Sequence, residues 1–241
     1  MEEAQEGLIA LGTLLFMVAA LVGGIWVWLR GKKKGSPNPQ RREEIMQLVR
    51  NRGWTHVGVV PDGADRYCGG SPLPTTCKNV PVQDHIVGEY RGRTISCFEY
   101  VRRDRDVDGP DTVKHFALFT VTLSTSVPRL IVKKPRFGDK VNARMENVFS
   151  AGRVMELGDP AFDDTFLLVA DEQKSAREIL SGPLTRFLMS DERSRDWPLR
   201  FQGDLLITSR PGRLLAEHID QMLDYLCDVV DQLPVQATRT Y

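Results

Sequence analysis

Three carboxylates at alternate positions form the sharpest chemical pattern in this chain. Asp104, Asp106 and Asp108, followed by Gly109, match the opening of a calcium loop, where oxygens alternate and a glycine allows the sharp turn. The twelfth position should be a bidentate Glu and is His115. Strand-forming sequence flanks the motif, where an EF-hand has helices. The expectation is a charged, solvated hairpin tip and no physiological calcium site.

Four cysteines come next: Cys68, Cys77, Cys97 and Cys227. No Cys-x-x-Cys occurs, and His56, His85, His115 and His218 all lie away from the cysteines in sequence, so a zinc site is not expected. Cys97 falls in an expected strand and Cys227 in an expected helix, where a thiol serves as a small apolar side chain. Cys68, beside Gly69-Gly70, is the one loop thiol placed to act as a nucleophile, although Asp65 and Arg66 do not favour a thiolate. No Gly-x-Ser-x-Gly elbow and no phosphate-binding glycine loop is present. The expectation is no cofactor, no metal and no assigned catalytic residue.

Two charged stretches remain. Arg129 to Arg144 is basic through Arg129, Lys133, Lys134, Arg136, Lys140 and Arg144. Lysines on a strand edge block edge pairing, and Lys133, Lys134 and Arg136 are also candidates for contact with anionic headgroups or an acidic partner. Near the C-terminus, Glu217, Asp220, Asp224, Asp228 and Asp231 recur at helical spacing. They form either a solvated face or, at Asp220, Asp224 and Asp228, a contact for a positively charged partner. Net charge is zero overall; the first six residues carry −3 and residues 30–42 carry +6. Nucleic acid is not an expected partner, because backbone binding needs a concentrated positive face.

The elements that must position these groups begin with Gly7 to Leu29, which hold no charged side chain. As a helix this run is roughly 35 Å long, enough for a hydrocarbon core of about 30 Å. Glu2, Glu3 and Glu6 precede it; Arg30, Lys32, Lys33, Lys34, Arg41 and Arg42 follow. The basic side stays cytoplasmic. The expectation is therefore an uncleaved single span in the bacterial cell membrane. Residues 1–6 lie outside, 7–29 span, 30–38 link, and 39–233 form a cytoplasmic domain ahead of a tail, 234–241. Trp26 and Trp28, with Arg30, Lys32, Lys33 and Lys34, are the expected membrane-interface residues. In a cytoplasmic domain the cysteines stay reduced; with the inverse topology a Cys68–Cys77 bond becomes plausible.

Beyond the linker the pattern predicts a helix over 39–52, ended by Gly53, then a strand at 54–60 and a loop at 62–79. A hairpin follows, with β-rich runs on both sides of Arg91-Gly92-Arg93. Strands are expected at 114–124, 129–134, 154–157 and 165–170, and a helix at 174–189 broken at Gly182-Pro183. A second hairpin is expected around Gln202-Gly203-Asp204, and a C-terminal helix at 213–233. Leu215, Ile219, Met222, Leu226, Val229 and Leu233 make that helix amphipathic. The fold class is α+β, a largely antiparallel sheet covered by helices after the N-terminal span. A strand–aspartate–hairpin order occurs twice, which allows two related halves near 54–125 and 129–233.

Four segments carry a resemblance. They are the span with its basic collar; Val87-Gly88-Glu89-Tyr90-Arg91-Gly92-Arg93 leading into Phe98-Glu99-Tyr100; Phe162-Asp163-Asp164-Thr165-Phe166-Leu167-Leu168-Val169; and Ile179-Leu180-Ser181-Gly182-Pro183-Leu184. Together they resemble an uncharacterised family of single-span membrane proteins of high-GC Gram-positive bacteria, related to a broader bacterial domain of unknown function. The resemblance implies membrane anchoring and an α+β domain, and brings no catalytic residues. Two functional readings follow. The first is a non-enzymatic interaction or scaffold module on the cytoplasmic membrane face, meeting the bilayer, anionic headgroups or another membrane or cytoplasmic protein. The alternative is a membrane-anchored enzyme using the Cys68 loop.

Overall fold

The computed structural model describes residues 39–104, 111–135 and 152–234. The expected span, most of its collar and the tail lie outside these residues, and no described helix is long and apolar enough to cross a membrane. The chain divides into two compact units, Met1–Glu43 and Glu44–Tyr241. The second carries the sheet and is described below.

Helix α1, Pro39–Arg52, buries Ile45 and Val49 and stops at Gly53 (φ 66°), a left-handed position that suits glycine. Trp54 follows, its indole N–H donating to the Glu89 carbonyl at 2.9 Å. A Cβ at Gly88 would sit 2.2 Å from the Trp54 ring, so this packing requires glycine there. Strand β1 is Thr55–Val60, β2 Val82–Tyr90 and β3 Arg93–Asp104. The β2–β3 turn places Arg91 (φ 49°) and Gly92 (φ 74°) in the left-handed region. A two-residue hairpin needs this so that its turn matches the strand twist.

Strand β4, Thr112–Lys133, is one long strand, where two were expected. It pairs β3 along Thr112–Val121 and β6 along Leu130–Lys133 on one side, and β7 along most of its length on the other. The expected border between two halves thus falls inside β4. Strand β7, Leu199–Pro211, is likewise continuous, which corrects the expected hairpin at Gly203. Gly203 (φ 57°) is an irregularity opposite Val127, so the glycine bends the strand and does not reverse it. Strands β5, Arg153–Met155, and β6, Leu167–Ala170, complete an antiparallel sheet ordered β1-β2-β3-β4-β6-β5 with β7 on β4. The α+β class with an antiparallel sheet stands as expected.

Short helices α2 (Pro160–Thr165), α3 (Gln173–Ile179), α4 (Pro183–Ser190) and α5 (Arg193–Asp196) connect these strands. Asp159 caps α2 by accepting from the Ala161 and Phe162 amides, with Pro160 in the first turn. Helix α6, Ala216–Asp231, lies across β4 and β7. Its Ile219, Met222, Leu226 and Val229 are fully buried, as the apolar stripe predicts.

The strand period of two sorts the core into two faces. Cys97, Ala117, Phe119 and Leu206 join the larger cluster with α1, α4 and α6. Their neighbours Phe98, Leu118, Leu205 and Ile207 point the other way, onto Ala64, Tyr67, Cys68 and Leu73. The first face is roofed by helices. The second is roofed by the loop between β1 and β2, which holds only a short 3-10 turn at Asp65–Tyr67.

Candidate functional site

The acidic stripe of α6 meets cations supplied by the chain itself. Arg91 reaches Asp228 and Asp231, each at 2.7 Å, and Arg93 reaches Asp231 at 2.6 Å. Arg193 joins Asp228 at 2.8 Å to Asp191 at 2.6 Å. Arg52 pairs with Asp220 at 2.6 Å, and the Tyr90 hydroxyl donates to Asp224 at 2.9 Å. The β2–β3 turn, α5 and the end of α1 are therefore tied to one helix face. These side chains are half-exposed, so each pair contributes roughly 0.2–1 kcal/mol, and their number and convergence give the arrangement its weight. The Arg193 hydrogen bond holds Asp191 below the ordinary carboxylate range. At Asp228 burial pushes up, and the bonds from Arg91 and Arg193 prevail, leaving it lowered. A partner for Asp220, Asp224 or Asp228 would compete with these internal arginines.

The basic stretch does not form one exposed edge. Arg129 is buried. Lys133 ends β4 between β6 and β7 and is half-buried, because β4 lies inside the sheet. Lys134 is exposed; Arg136, Lys140 and Arg144 lie outside the described residues. Trp26, Trp28, Arg30, Lys32, Lys33 and Lys34 also lie outside them.

The most elaborate polar arrangement fastens the roof loop. Cys68 and Cys77 form a disulfide, their Cα atoms 5.8 Å apart. This corrects the expectation of reduced thiols, and the Cys68 nucleophile of the alternative reading is replaced by a bonded sulfur. The loop brings the two cysteines together locally: Gly69 N–H bonds the Pro74 carbonyl at 3.1 Å, folding the intervening residues back on themselves. Three side chains from the sheet reach up to the carbonyls beside the bridge. Arg200 donates to the Gly70 carbonyl at 2.7 Å and also to the Tyr67 carbonyl. Gln202 donates to the Cys68 carbonyl at 2.6 Å and Arg129 to the Gly69 carbonyl at 2.9 Å. Arg129 also pairs with Asp171 at 2.6 Å. Asp65 closes the far end, accepting from the Asn79 and Val80 amides at 2.8 and 2.9 Å. Burial, and then the positive charge of Arg129, push the Arg200 guanidinium down to about 10, so it stays charged at neutral pH.

Two histidine contacts complete the titratable groups. His85 Nε2 lies 2.8 Å from the Ser96 hydroxyl, and burial with nearby His56 lowers its pKa. Ser96 is itself buried in β3, so this pair satisfies core polar groups. His115 Nδ1 lies 2.7 Å from the buried Glu99 carboxylate, whose other oxygen accepts the Leu214 amide ahead of α6. In the calcium-like motif, Asp104 pairs with Lys114 at 2.8 Å and Arg102 at 2.9 Å, and His115 at the twelfth position is engaged with Glu99; Asp106, Asp108 and Gly109 lie outside the described residues. Cys97 and Cys227 are buried free thiols, as expected, and burial raises both.

Sequence reasoning singled out Gly69-Gly70 but missed Arg200 and Gln202, which lie in a strand more than 130 residues away. It also missed the uncharged sheet edge at β1, although the absence of Lys, Arg, Asp and Glu from Thr55 to Val60 is visible in the sequence.

No family model and no curated protein matches the chain. Among solved structures it is similar to the crystal structure of the mycobacterial trehalose monomycolate transport factor A, TtfA. The identity is 12% and the TM-score 0.49, over 79% of this chain and 90% of that one. A likeness of that strength assigns this chain no activity.

Proposed function

We propose that this protein is a membrane-tethered, non-enzymatic interaction module of a bacterial membrane, with its α+β domain on the cytoplasmic face. The uncharged run Gly7–Leu29, between an acid-only N-terminus and the six cations from Arg30 to Arg42, carries this reading. The bilayer is its first partner. The collar adds attraction to anionic headgroups, about 1 kcal/mol per cation near the surface. The use of the domain's reactive groups supports a binding role over catalysis. Cys68 is bonded to Cys77, the α6 carboxylates face internal arginines, and Arg200 and Gln202 hold backbone carbonyls.

A second reading keeps the tether and the binding role and puts the domain on the outer face. The Cys68–Cys77 bond favours it, because structural disulfides persist in oxidising compartments. One experiment separates the two. The Glu217 side chain is 73% exposed, and the two native free thiols are buried, so a Glu217→Cys chain presents one accessible thiol. With the domain inside, an impermeant maleimide labels it only after lysis. Labelling in intact cells moves the domain outside. Recovery of the chain without membranes, after mild lysis, overturns the tether itself.

A further inference from the structure

We propose that the Cys68–Cys77 bond is a reversible latch on the roof loop, opened by a dithiol reductant that attacks Cys77. The two sulfurs differ in access: Cys68 is buried and Cys77 half-buried. The backbone around them is fastened at two places. The carbonyls from Tyr67 to Gly70 are held by Arg200, Gln202 and Arg129, and the Asn79 and Val80 amides are held by Asp65. Between these fastenings, Ser71 to Lys78 take part in one backbone hydrogen bond among the described residues, from Gly69 N–H to the Pro74 carbonyl. The bridge is therefore the main tie of a segment whose Leu73 is 3% exposed in the second core cluster. No residue of 61–81 belongs to the larger cluster under the helices, so opening the bridge loosens one loop and leaves that core closed.

A thiolate of the reductant attacks Cys77 Sγ and forms a mixed disulfide. The bond to Cys68 breaks, and its electron pair leaves on Cys68 Sγ, which takes a proton from water. The reductant's second thiolate attacks its own sulfur in the mixed disulfide and releases Cys77 as a thiolate. Two electrons enter the chain, and the reductant departs as a disulfide. One side of the bridge is already built for the reduced state. Cys68 Sγ lies 3.2 Å from the Ala64 carbonyl oxygen, which accepts from the new thiol without any movement of the chain. Cys77, in the unfastened segment, is the side that swings away. Both fastenings persist, and the cysteines are nine residues apart, so the thiols stay close and an oxidised dithiol closes the latch by the reverse steps. The latch works on either face of the membrane; the compartment sets which state prevails.

The test uses the full chain in lipid nanodiscs, with dithiothreitol as the dithiol. Under native conditions the rate of bond opening should rise in proportion to dithiothreitol concentration. A rate that levels off at the unfolding rate overturns the proposal, because the bond would then be reached only in the unfolded chain. Brief exposure to glutathione, quenched with acid, should leave the mixed disulfide on Cys77; an adduct on Cys68 overturns the direction of attack. Trypsin reads the latch itself, since Lys78 is exposed and is the single Lys or Arg between Tyr67 and Tyr90. Cleavage after Lys78 should quicken several-fold once the bridge is reduced, alkylated and freed of reagent, while cleavage at Arg186, exposed on α4, stays unchanged. Equal rates at Lys78 in both states overturn the latch, and so does equal quickening at both sites, which would make the bridge a tie of the whole domain. Cys68→Ser with Cys77→Ser should be cut at Lys78 as fast as the reduced chain; cutting as slow as in the oxidised chain overturns the proposal. Oxidised dithiothreitol, added to reduced chain that has not been alkylated, should restore slow cutting; persistent fast cutting overturns reversibility.

Discussion

The two faces of the sheet are closed by different means. On one, helices roof the larger core, and α6 contributes Ile219, Met222, Leu226 and Val229 without any solvent exposure. A helix satisfies its own backbone, so its cover can be almost wholly apolar. On the other face an irregular loop lies over Phe98, Leu118 and Ile207. A loop brings carbonyls that no neighbouring strand can pair. Arg200, Gln202 and Arg129 supply the missing donors from the sheet below, and the Cys68–Cys77 bond limits the freedom the loop regains on unfolding. The apolar face gains stability from area; the polar face needs matched donors and a covalent clip.

The largest effect is expected at Leu226. Leu226→Ala empties a fully buried site beneath α6 and should cost roughly 2–4 kcal/mol in denaturant unfolding. An unchanged midpoint would show that α6 does not close the core. On the loop face, opening the Cys68–Cys77 bridge, by reduction or by Cys68→Ser with Cys77→Ser, should cost about 2–3 kcal/mol. That is the loop-closure value for a ring of this length. Unfolding curves with and without reductant measure it directly.

Arg200→Met sharpens the contrast. It removes a buried charge but orphans the Tyr67 and Gly70 carbonyls. The two effects oppose each other, and a net loss of about 1–2 kcal/mol is expected. Amide exchange should quicken between Asp62 and Val80 and stay slow in α6. Acceleration spread evenly over both faces would show that the loop is not a separate closure.

The smallest effect belongs to the ionic face of α6. Asp228→Asn loosens both Arg91 and Arg193 and should cost roughly 0.2–1 kcal/mol at neutral pH. Asp191 and Asp228 both titrate below their ordinary value of 3.8 in the folded chain. Their contribution is complete above that value and is lost as pH falls through the lower folded values. The variant should therefore flatten the acid limb of the stability profile; an unaltered limb would assign that limb to other carboxylates.

Several elements are legible in the sequence. The 39–52 helix, the Arg91-Gly92 hairpin and the buried stripe of α6 are written in local spacing, and local spacing is what period and turn chemistry encode. Gly203 misled for the same reason: a glycine between two β-rich runs reads as a turn. Only the continuous β4 opposite turns it into an irregularity within one strand. The acidic stripe was legible as a stripe, and its partners were not, since Arg91 and Asp228 are 137 residues apart.

An uncharged run long enough for a membrane, an α+β alternation of strands and helices, and an apolar face on the last helix are all legible locally. Composition and period carry these features, and neither needs a distant partner. Long-range packing selects which arginines serve carbonyls and which serve carboxylates, and which strand is left at the end of the sheet. Each is a choice among many chemically equivalent pairings, made by the packing that brings two remote segments within hydrogen-bond distance.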